Sequence, residues 1–448
     1  FNKCRRRETS YRPPQSRKEL DLLPVRDKAT RRVRNKEEML SARVGQRALR
    51  GVSRGFASKA GDIYNPTDEH LQLRQLVRKF AEDQVDPQAL EWNRKEMFNH
   101  DLYKQCGDLG LLGLTVDPEH GGSGMDCAAV CSVHEELSAS DPAFCLSYLA
   151  HSLLFTNNLA RNGNEEQKQR FLPDACSGEI IGGMGMSEPN YGTDVLGMQT
   201  SARKDGDDYI LNGAKFWITN GCVDDNTLGD VFLIYARTGE KSISLFLVEK
   251  GMPGFSLGQR IKDKCGMRAS CTAELVLEDV RVPKANLVGE EGGAVLCMMR
   301  NLEVERIALG AMSLGIARRS FEIMNQYAKD RIAFNEPLSN FGQIQRYIGD
   351  SYAQYMAGRA YTYEVASRLD LDKAGHRLET DGVKLFCTTM GKQVADNAIQ
   401  VLGGAGYIGD YQVERLWRDA KLLEIGGGTL ESHQKNIVRE LKHINKIE

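Results

Sequence analysis

The chain has no apolar run near the roughly 18 residues that span a bilayer, which excludes an integral membrane helix. It also lacks cysteine pairs at zinc-ligand spacing. Its eleven cysteines are scattered, and the nearest pairs, Cys127/Cys131 and Cys265/Cys271, have no second pair to complete a tetrahedral set. An odd count without a secretory signal points to reduced thiols rather than a disulfide framework. The phosphate-cradling G-x-x-x-x-G-K-[ST], the metalloprotease H-E-x-x-H and the nucleophile elbow G-x-S-x-G are all missing. His134 precedes two glutamates but has no second histidine, so it reads as a helix-surface residue. No metal site is expected. The composition is that of an ordinary globular chain, 41% hydrophobic and 27% charged over 448 residues, with length for about three domains.

A further absence is local. Residues 1–60 hold 18 Lys+Arg against 6 Asp+Glu, and the rest holds 41 against 55. Residues 1–38 mix both signs around Pro13-Pro14 with no apolar period, which reads as disordered. From Met39 to Ala60 there is no acid at all. Arg43, Arg47, Arg50 and Arg54 recur at helical spacing, and Arg54-Gly-Phe-Ala-Ser58 resembles a presequence cleavage region. Residues 39–60 therefore read as a mitochondrial transit peptide, with translation starting at Met39 and residues 1–38 lying upstream of the translated protein. A nucleic-acid-binding arm is the competing reading, disfavoured because the acid-free stretch ends where globular patterning begins.

The body changes period twice, giving an α+β multidomain fold. After Pro66-Thr67-Asp68, Leu73, Leu76, Val77 and Phe80 follow a helical period. Further helical patterns cover about 98–110, 126–138 and 142–160, so 61–180 is an N-terminal all-α domain. Short aliphatic and aromatic runs separated by turn residues predict a middle antiparallel β domain over 181–290. Long helical patterns return at 293–328, 341–370, 378–402 and 429–445, predicting a C-terminal four-helix bundle over 291–448. Gly404-x-Gly406-x-x-Gly409 fits a dinucleotide fingerprint by spelling alone. Val383, Phe386, Met390 and Val394 precede it at helical rather than strand spacing, so the glycines are expected to end a helix in the left-handed conformation.

Several motifs resemble, in order, the signature set of the acyl-CoA dehydrogenases. They are Met186-Ser-Glu-Pro-Asn-Tyr-Gly-Thr-Asp194, Lys215-Phe-Trp-Ile-Thr219, Gly403-Gly-Ala-Gly-Tyr407, Arg418-Asp-Ala-Lys421 and Gly428-Thr429. The resemblance runs from about residue 62 to the C-terminus. Leu146–Ser152, Arg161–Glu165, Leu302-Glu-Val-Glu-Arg306 and Ile425-Gly-Gly-Gly-Thr429 are most similar to the branch acting on isovaleryl-CoA. This resemblance implies an α–β–α fold, FAD as cofactor, electron-transfer flavoprotein as electron acceptor, and a homotetramer in the mitochondrial matrix working in leucine breakdown.

The reaction removes an α-proton and a β-hydride, and the first step needs a carboxylate near a weakly acidic carbon. Most family members place that base just before the C-terminal Gly-Thr, where this chain has Gly427. The resemblance moves the duty to Glu305, with Glu303 and Arg306 on the substrate side. Glu303 and Glu305 stand about 200° apart around a helix, so only one faces a given pocket. On periodicity alone both could be surface residues paired with Arg300 or Arg306. The glycines at 426 and 427 leave room near the reacting carbons for a branched substrate, or else satisfy a tight turn.

For the flavin, the resemblance implies contacts from Met184, Met186, Ser187, Thr193, Trp217, Ile218, Thr219, Arg331, Gln400, Val401, Leu402, Gly403, Gly404, Thr429, Leu430 and Glu431. Thr193, Gly427 and Gly428 also map near the acyl-CoA. Part of the flavin site is expected from a neighbouring subunit. Four departures weaken the match: Asn335 for a glycine, Gly342 for a glutamine, Leu296 for a tyrosine, and Glu240-Lys241 for Ser-Arg. The alternatives are an acyl-CoA dehydrogenase of other chain specificity, and an inactive scaffold of the same fold.

Overall fold

A computed structural model describes residues 60–444. The expected disordered arm and nearly all of the presequence lie outside the described residues.

The N-terminal part is helical: α1 (Asp68–Phe80), α2 (Asp86–Lys95), α3 (His100–Asp108), α4 (Cys127–Ser140), α5 (Pro142–Leu149) and α6 (Glu165–Ser177). Helix α1 starts where its sequence asks it to. The Thr67 side chain accepts from the His70 N–H at 3.4 Å, with Asp68 and Glu69 in the first turn. Asn164 and Gln167 form a reciprocal capping box for α6. Helix α4 is buried along its whole length, Glu135 and Glu136 included. Two carboxylates are tolerated there because arginines surround them. Arg74 and Arg78 come from α1, and Arg318 and Arg359 from helices of the C-terminal part. This ion cluster joins the first helices to the last.

The middle part is one eight-stranded sheet of order β6-β7-β3-β2-β4-β5-β8, with β1 beside β4. The strands are β1 (Gly182–Gly185), β2 (Ser201–Asp205), β3 (Asp208–Thr219), β4 (Val231–Gly239), β5 (Ser242–Glu249), β6 (Phe255–Arg260), β7 (Thr272–Val282) and β8 (Leu287–Val288). The sheet is antiparallel as expected except at β1–β4 and β2–β4, which pair in parallel. The continuous apolar run of β4 reflects a strand covered on both faces. Val231, Leu233 and Tyr235 pack with Phe155, Leu172 and Met298, while Phe232, Ile234 and Ala236 pack with Leu211, Leu275 and Val280.

The C-terminal part holds α7 (Ala294–Asp330), α8 (Gly342–Ala366), α9 (Arg377–Leu402), α10 (Val413–Leu423) and α11 (Leu430–Leu441). Four of these match the expected bundle and α10 is additional. It is short, and its N-cap, Gln412, makes no capping side-chain hydrogen bond, so no start signal marked it. The glycine fingerprint follows α9 rather than a strand. Gly403 ends that helix at φ +61° but ψ −132°, a positive-φ turn outside the expected left-handed helical conformation.

Candidate active site

Helix α7 and the turn after α10 meet at two residues. Gly427 has φ +66°, and a Cβ added there would lie 2.3 Å from Leu309 Cδ1, so both backbone and packing demand glycine. The same hypothetical Cβ would sit 3.3 Å from Glu305 Oε1 and 3.5 Å from its carboxyl carbon. The Glu305 carboxylate thus reaches across to the place where a side chain at 427 would begin. Gly426 differs: its φ is not positive, and an added Cβ would meet nothing closer than 3.6 Å. The turn does not require glycine at 426, where an added Cβ would make only ordinary van der Waals contacts with Leu422.

Glu305 is 7% exposed. Burial pushes its carboxyl up to about 7, and the charges of Arg306 and Lys384 oppose a further rise. Tyr235 of β4 lies within its field. The Tyr235 hydroxyl accepts from Asn158 Nδ2 at 3.4 Å, and the same amide reaches Met184 Sδ at 3.8 Å. The Asn158 amide thus links Tyr235 of β4 to Met184 of β1.

Glu303 points elsewhere, as the 200° separation requires. Its carboxylate accepts the N–H groups of Gly375 (3.1 Å) and His376 (3.0 Å), just ahead of α9. Arg306 Nε lies 3.1 Å from Asp381 Oδ1, and Asp381 also meets His433 Nδ1 at 2.6 Å. His433 Nε2 faces the Gly428 carbonyl at 3.0 Å. Thr429 caps α11, with its hydroxyl accepting from the Ser432 N–H.

On β3, Trp217 lies where the pairing with β7 shifts between Lys215 and Ile218. Its φ is +65°, and its side chain is 59% exposed. A bulge there turns an indole outward that a regular strand would have buried. The Ser187 carbonyl accepts the Phe216 N–H at 2.9 Å, holding the 186–188 segment beside this indole. Below it, Lys215 Nζ donates to Glu188 Oε1 at 2.9 Å, and the Glu188 carboxylate also accepts the Gln199 and Thr200 N–H groups. That buried pair ties both ends of the 188–200 loop, Thr193 included, to β3.

The remaining expected flavin contacts split by atom type. The side chains of Ile218, Val401 and Leu402 are buried in apolar clusters, so only their main chains remain available. Met184, Met186, Ser187 and Thr219 are half-buried; Thr193, Gln400, Gly403, Gly404 and Glu431 are exposed, and Leu430 is half-buried. Arg331 and Ala405 line one cleft of about 650 Å³ with Arg319, Tyr327 and Tyr411. Of the expected contacts, Arg331 lines this cleft and Trp217 does not. Asn335 replaces the expected glycine at φ +68°, a conformation that asparagine tolerates well.

The residues present fit a flat, phosphate-bearing cofactor. An exposed indole offers a face for a ring. Gly403 and Gly404 present bare backbone with no atom within 4 Å of an added Cβ. Arg331 is exposed and supplies a permanent forked cation.

Three family models cover nearly all of the described chain. The N-terminal domain of acyl-CoA dehydrogenase matches residues 67–179, the middle domain 183–280 and the C-terminal domain 292–442. The chain belongs to the acyl-CoA dehydrogenase family of FAD-dependent oxidoreductases. Among named relatives it is 42% identical to isovaleryl-CoA dehydrogenase, mitochondrial, of Pongo abelii, over 88% of this chain and 95% of that one. It is 40% identical to 2-methylacyl-CoA dehydrogenase, mitochondrial, of Solanum tuberosum, over 84% and 91%. Among solved structures, butyryl-CoA dehydrogenase of Megasphaera elsdenii superposes with a TM-score of 0.80 at 32% identity, covering 84% and 98%. Glutaryl-CoA dehydrogenase of Mycobacterium smegmatis in complex with FADH2 gives 0.79 at 30%, covering 85% and 96%. A chain from the electron transferring flavoprotein study of Acidaminococcus fermentans gives 0.80 at 33%, covering 85% and 99%.

Sequence reasoning did not single out Lys384, Tyr235 or Asn158. Lys384 carried a signal: it falls on the buried stripe Thr380, Asp381, Lys384, Cys387, Gly391 of α9, where an unpaired lysine is out of place.

Proposed function

We propose that the protein oxidises isovaleryl-CoA to 3-methylcrotonyl-CoA, with FAD as cofactor and electron-transfer flavoprotein as acceptor. On this reading it works in leucine breakdown as a homotetramer in the mitochondrial matrix. The observation that carries the proposal is the Glu305 carboxylate standing in front of Gly427.

The carboxylate at 305 accepts the α-proton while the electron pair moves toward the thioester carbonyl. A carboxyl raised to about 7 by burial is a stronger base than one in water. No backbone hydrogen bond takes the Gly427 or Gly428 N–H among the described residues. Those two donors are free for the oxygen on which charge develops. Trp217, Thr219, Ser187 and Met186 hold FAD on the sheet side. Arg331 and the Gln400–Gly404 backbone hold a pyrophosphate and adenosine end, shared between subunits. Bound FAD supplies the acceptor for the hydride that leaves the β-carbon.

The space at Gly426 favours a substrate branched at C3 over a straight long chain. The identities with isovaleryl- and 2-methylacyl-CoA dehydrogenases point to the same short, branched class. Residues 39–60, all but Ala60 outside the described residues, supply the matrix-targeting sequence, and on the coenzyme A side Glu303 holds the loop ahead of α9 while Arg306 holds Asp381 of α9. The test is anaerobic titration of the FAD-loaded protein with isovaleryl-, 2-methylbutyryl-, butyryl- and octanoyl-CoA. Isovaleryl-CoA should bleach the flavin at the lowest concentration; preferential bleaching by octanoyl-CoA would overturn the substrate assignment.

A further inference from the structure

The glycine turn that faces Glu305 is gripped from behind by a cation. Lys384, on α9, is completely buried. Its Nζ donates to the carbonyl of Leu423 and, at 3.2 Å, to that of Gly428. These two carbonyls bracket the segment Glu424-Ile425-Gly426-Gly427, so one ammonium fastens both ends of the turn. Both acceptors are neutral. Burying an ammonium without a carboxylate on it is costly, and a methionine would fill the same length without that cost. On the far side of the turn stands Glu305, whose Oε1 lies 3.3 Å from the Cβ position of Gly427, the residue next to the one Lys384 holds.

Resting on the assignment of Glu305 as the base, we infer that Lys384 is a positioning residue for proton abstraction. Its buried ammonium fixes the 423–428 turn against Glu305 and, through its charge, favours the carboxylate form of that base. Among the described residues, Arg306 on its own helix, Lys384 on α9 and Tyr235 on β4 lie within the field of Glu305. Arg306 is engaged by Asp381, and burial keeps the Tyr235 hydroxyl protonated. Lys384 is the cation whose hydrogen bonds end on the turn itself. It is itself affected by its burial, which lowers its ammonium to about 8 against the opposing pull of Glu305. Glu424 and Asp381 also lie in its field, and the Glu424 carboxylate is drawn toward Lys421 at 2.7 Å.

The test uses the FAD-loaded protein with Lys384→Met, Lys384→Gln and Glu305→Gln. Glutamine keeps a donor for the two carbonyls but loses the charge, so it separates grip from charge. Activity rises with pH as Glu305 ionises. Loss of the ammonium should therefore move the acid limb of kcat/KM upward by about one pH unit in both lysine variants. Below that limb, kcat/KM should fall about tenfold, with the alkaline plateau changed far less. Independently of turnover, the infrared band of the protonated Glu305 carboxyl, assigned by its absence in Glu305→Gln, should titrate at correspondingly higher pH. An acid limb and an infrared titration unmoved in either folded variant would overturn the inference, as would failure of both variants to fold, which would make the lysine purely structural. If Glu305→Gln itself turns over, the base assignment has failed instead; if it is inert and the lysine variants titrate like the parent, only the role of Lys384 falls.

Discussion

Replacing Gly427 by alanine tests the geometry on which the active site rests. The backbone at 427 has φ +66°, and a Cβ there costs about 1–2 kcal/mol. The same Cβ would stand 2.3 Å from Leu309 Cδ1, a side chain that is 2% exposed. Overpacking of that kind costs about 1–3 kcal/mol, so Gly427→Ala should destabilise the fold by about 2–5 kcal/mol. The methyl group would also press on the Glu305 carboxylate, 3.3 Å from its Cβ. Displacing a reacting group by about 1 Å can lower kcat/KM about 100-fold. Gly426→Ala is the control: its Cβ meets only ordinary contacts at 3.6 Å and beyond, so its urea midpoint should stay near that of the parent. Adding Leu309→Ala to Gly427→Ala should relieve the packing part but not the backbone part, giving a coupling of about 1–3 kcal/mol in a double-mutant cycle. Urea denaturation with steady-state turnover reads both quantities. A Gly427→Ala protein as stable and as active as the parent would refute the placement of Glu305 against the turn.

Trp217 is 59% exposed, so Trp217→Ala should change the apoprotein's urea midpoint little but lower the flavin-to-protein absorbance ratio after gel filtration. Equal flavin retention would remove Trp217 from the cofactor site. Burial alone would raise the Glu136 carboxyl, but Arg318 and Arg78 overcome it and hold it at about 2. A folded-state value below the unfolded 4.5 means that this stabilisation is present above about pH 4.5 and is lost as pH falls toward 2. Glu136→Gln should cost about 3–5 kcal/mol at neutral pH and flatten the fall of the urea midpoint between those pH values.

The α–β–α order was legible because each part writes its own period: apolar residues every three or four in the helices, short β-branched and aromatic runs in the sheet. The parallel pairings of β1 and β2 with β4 were not, since pairing direction depends on how the chain returns and not on composition. Helix α10 has no capping side chain at Gln412, so its sequence carries no start signal. The site was legible by residue type more than by orientation. Nothing in Phe216-Trp217-Ile218 announces that a bulge turns the indole outward and leaves Ile218 in the core. Nor does the spelling of Gln400-Val401-Leu402 say that the last two offer only backbone. The tight-turn reading of the paired glycines holds at 427, fixed by φ and packing, and fails at 426, which is free of both. The helical angle says only that Glu303 and Glu305 cannot both face one pocket; the resemblance, not the angle, points to Glu305. Which of the two turns toward Gly427 depends on how α7 packs, and the Gly375 and His376 N–H groups hold Glu303 to the other side.

The most direct test of the central claim is anaerobic addition of isovaleryl-CoA to FAD-loaded Glu305→Gln beside the parent protein. Glutamine keeps the size of the side chain and removes its basicity. The parent's flavin absorbance should bleach. The variant should hold its FAD and bind the thioester, yet bleach at least about 100-fold more slowly. Bleaching at the parent's rate would show that another group takes the α-proton and would contradict the assignment of Glu305.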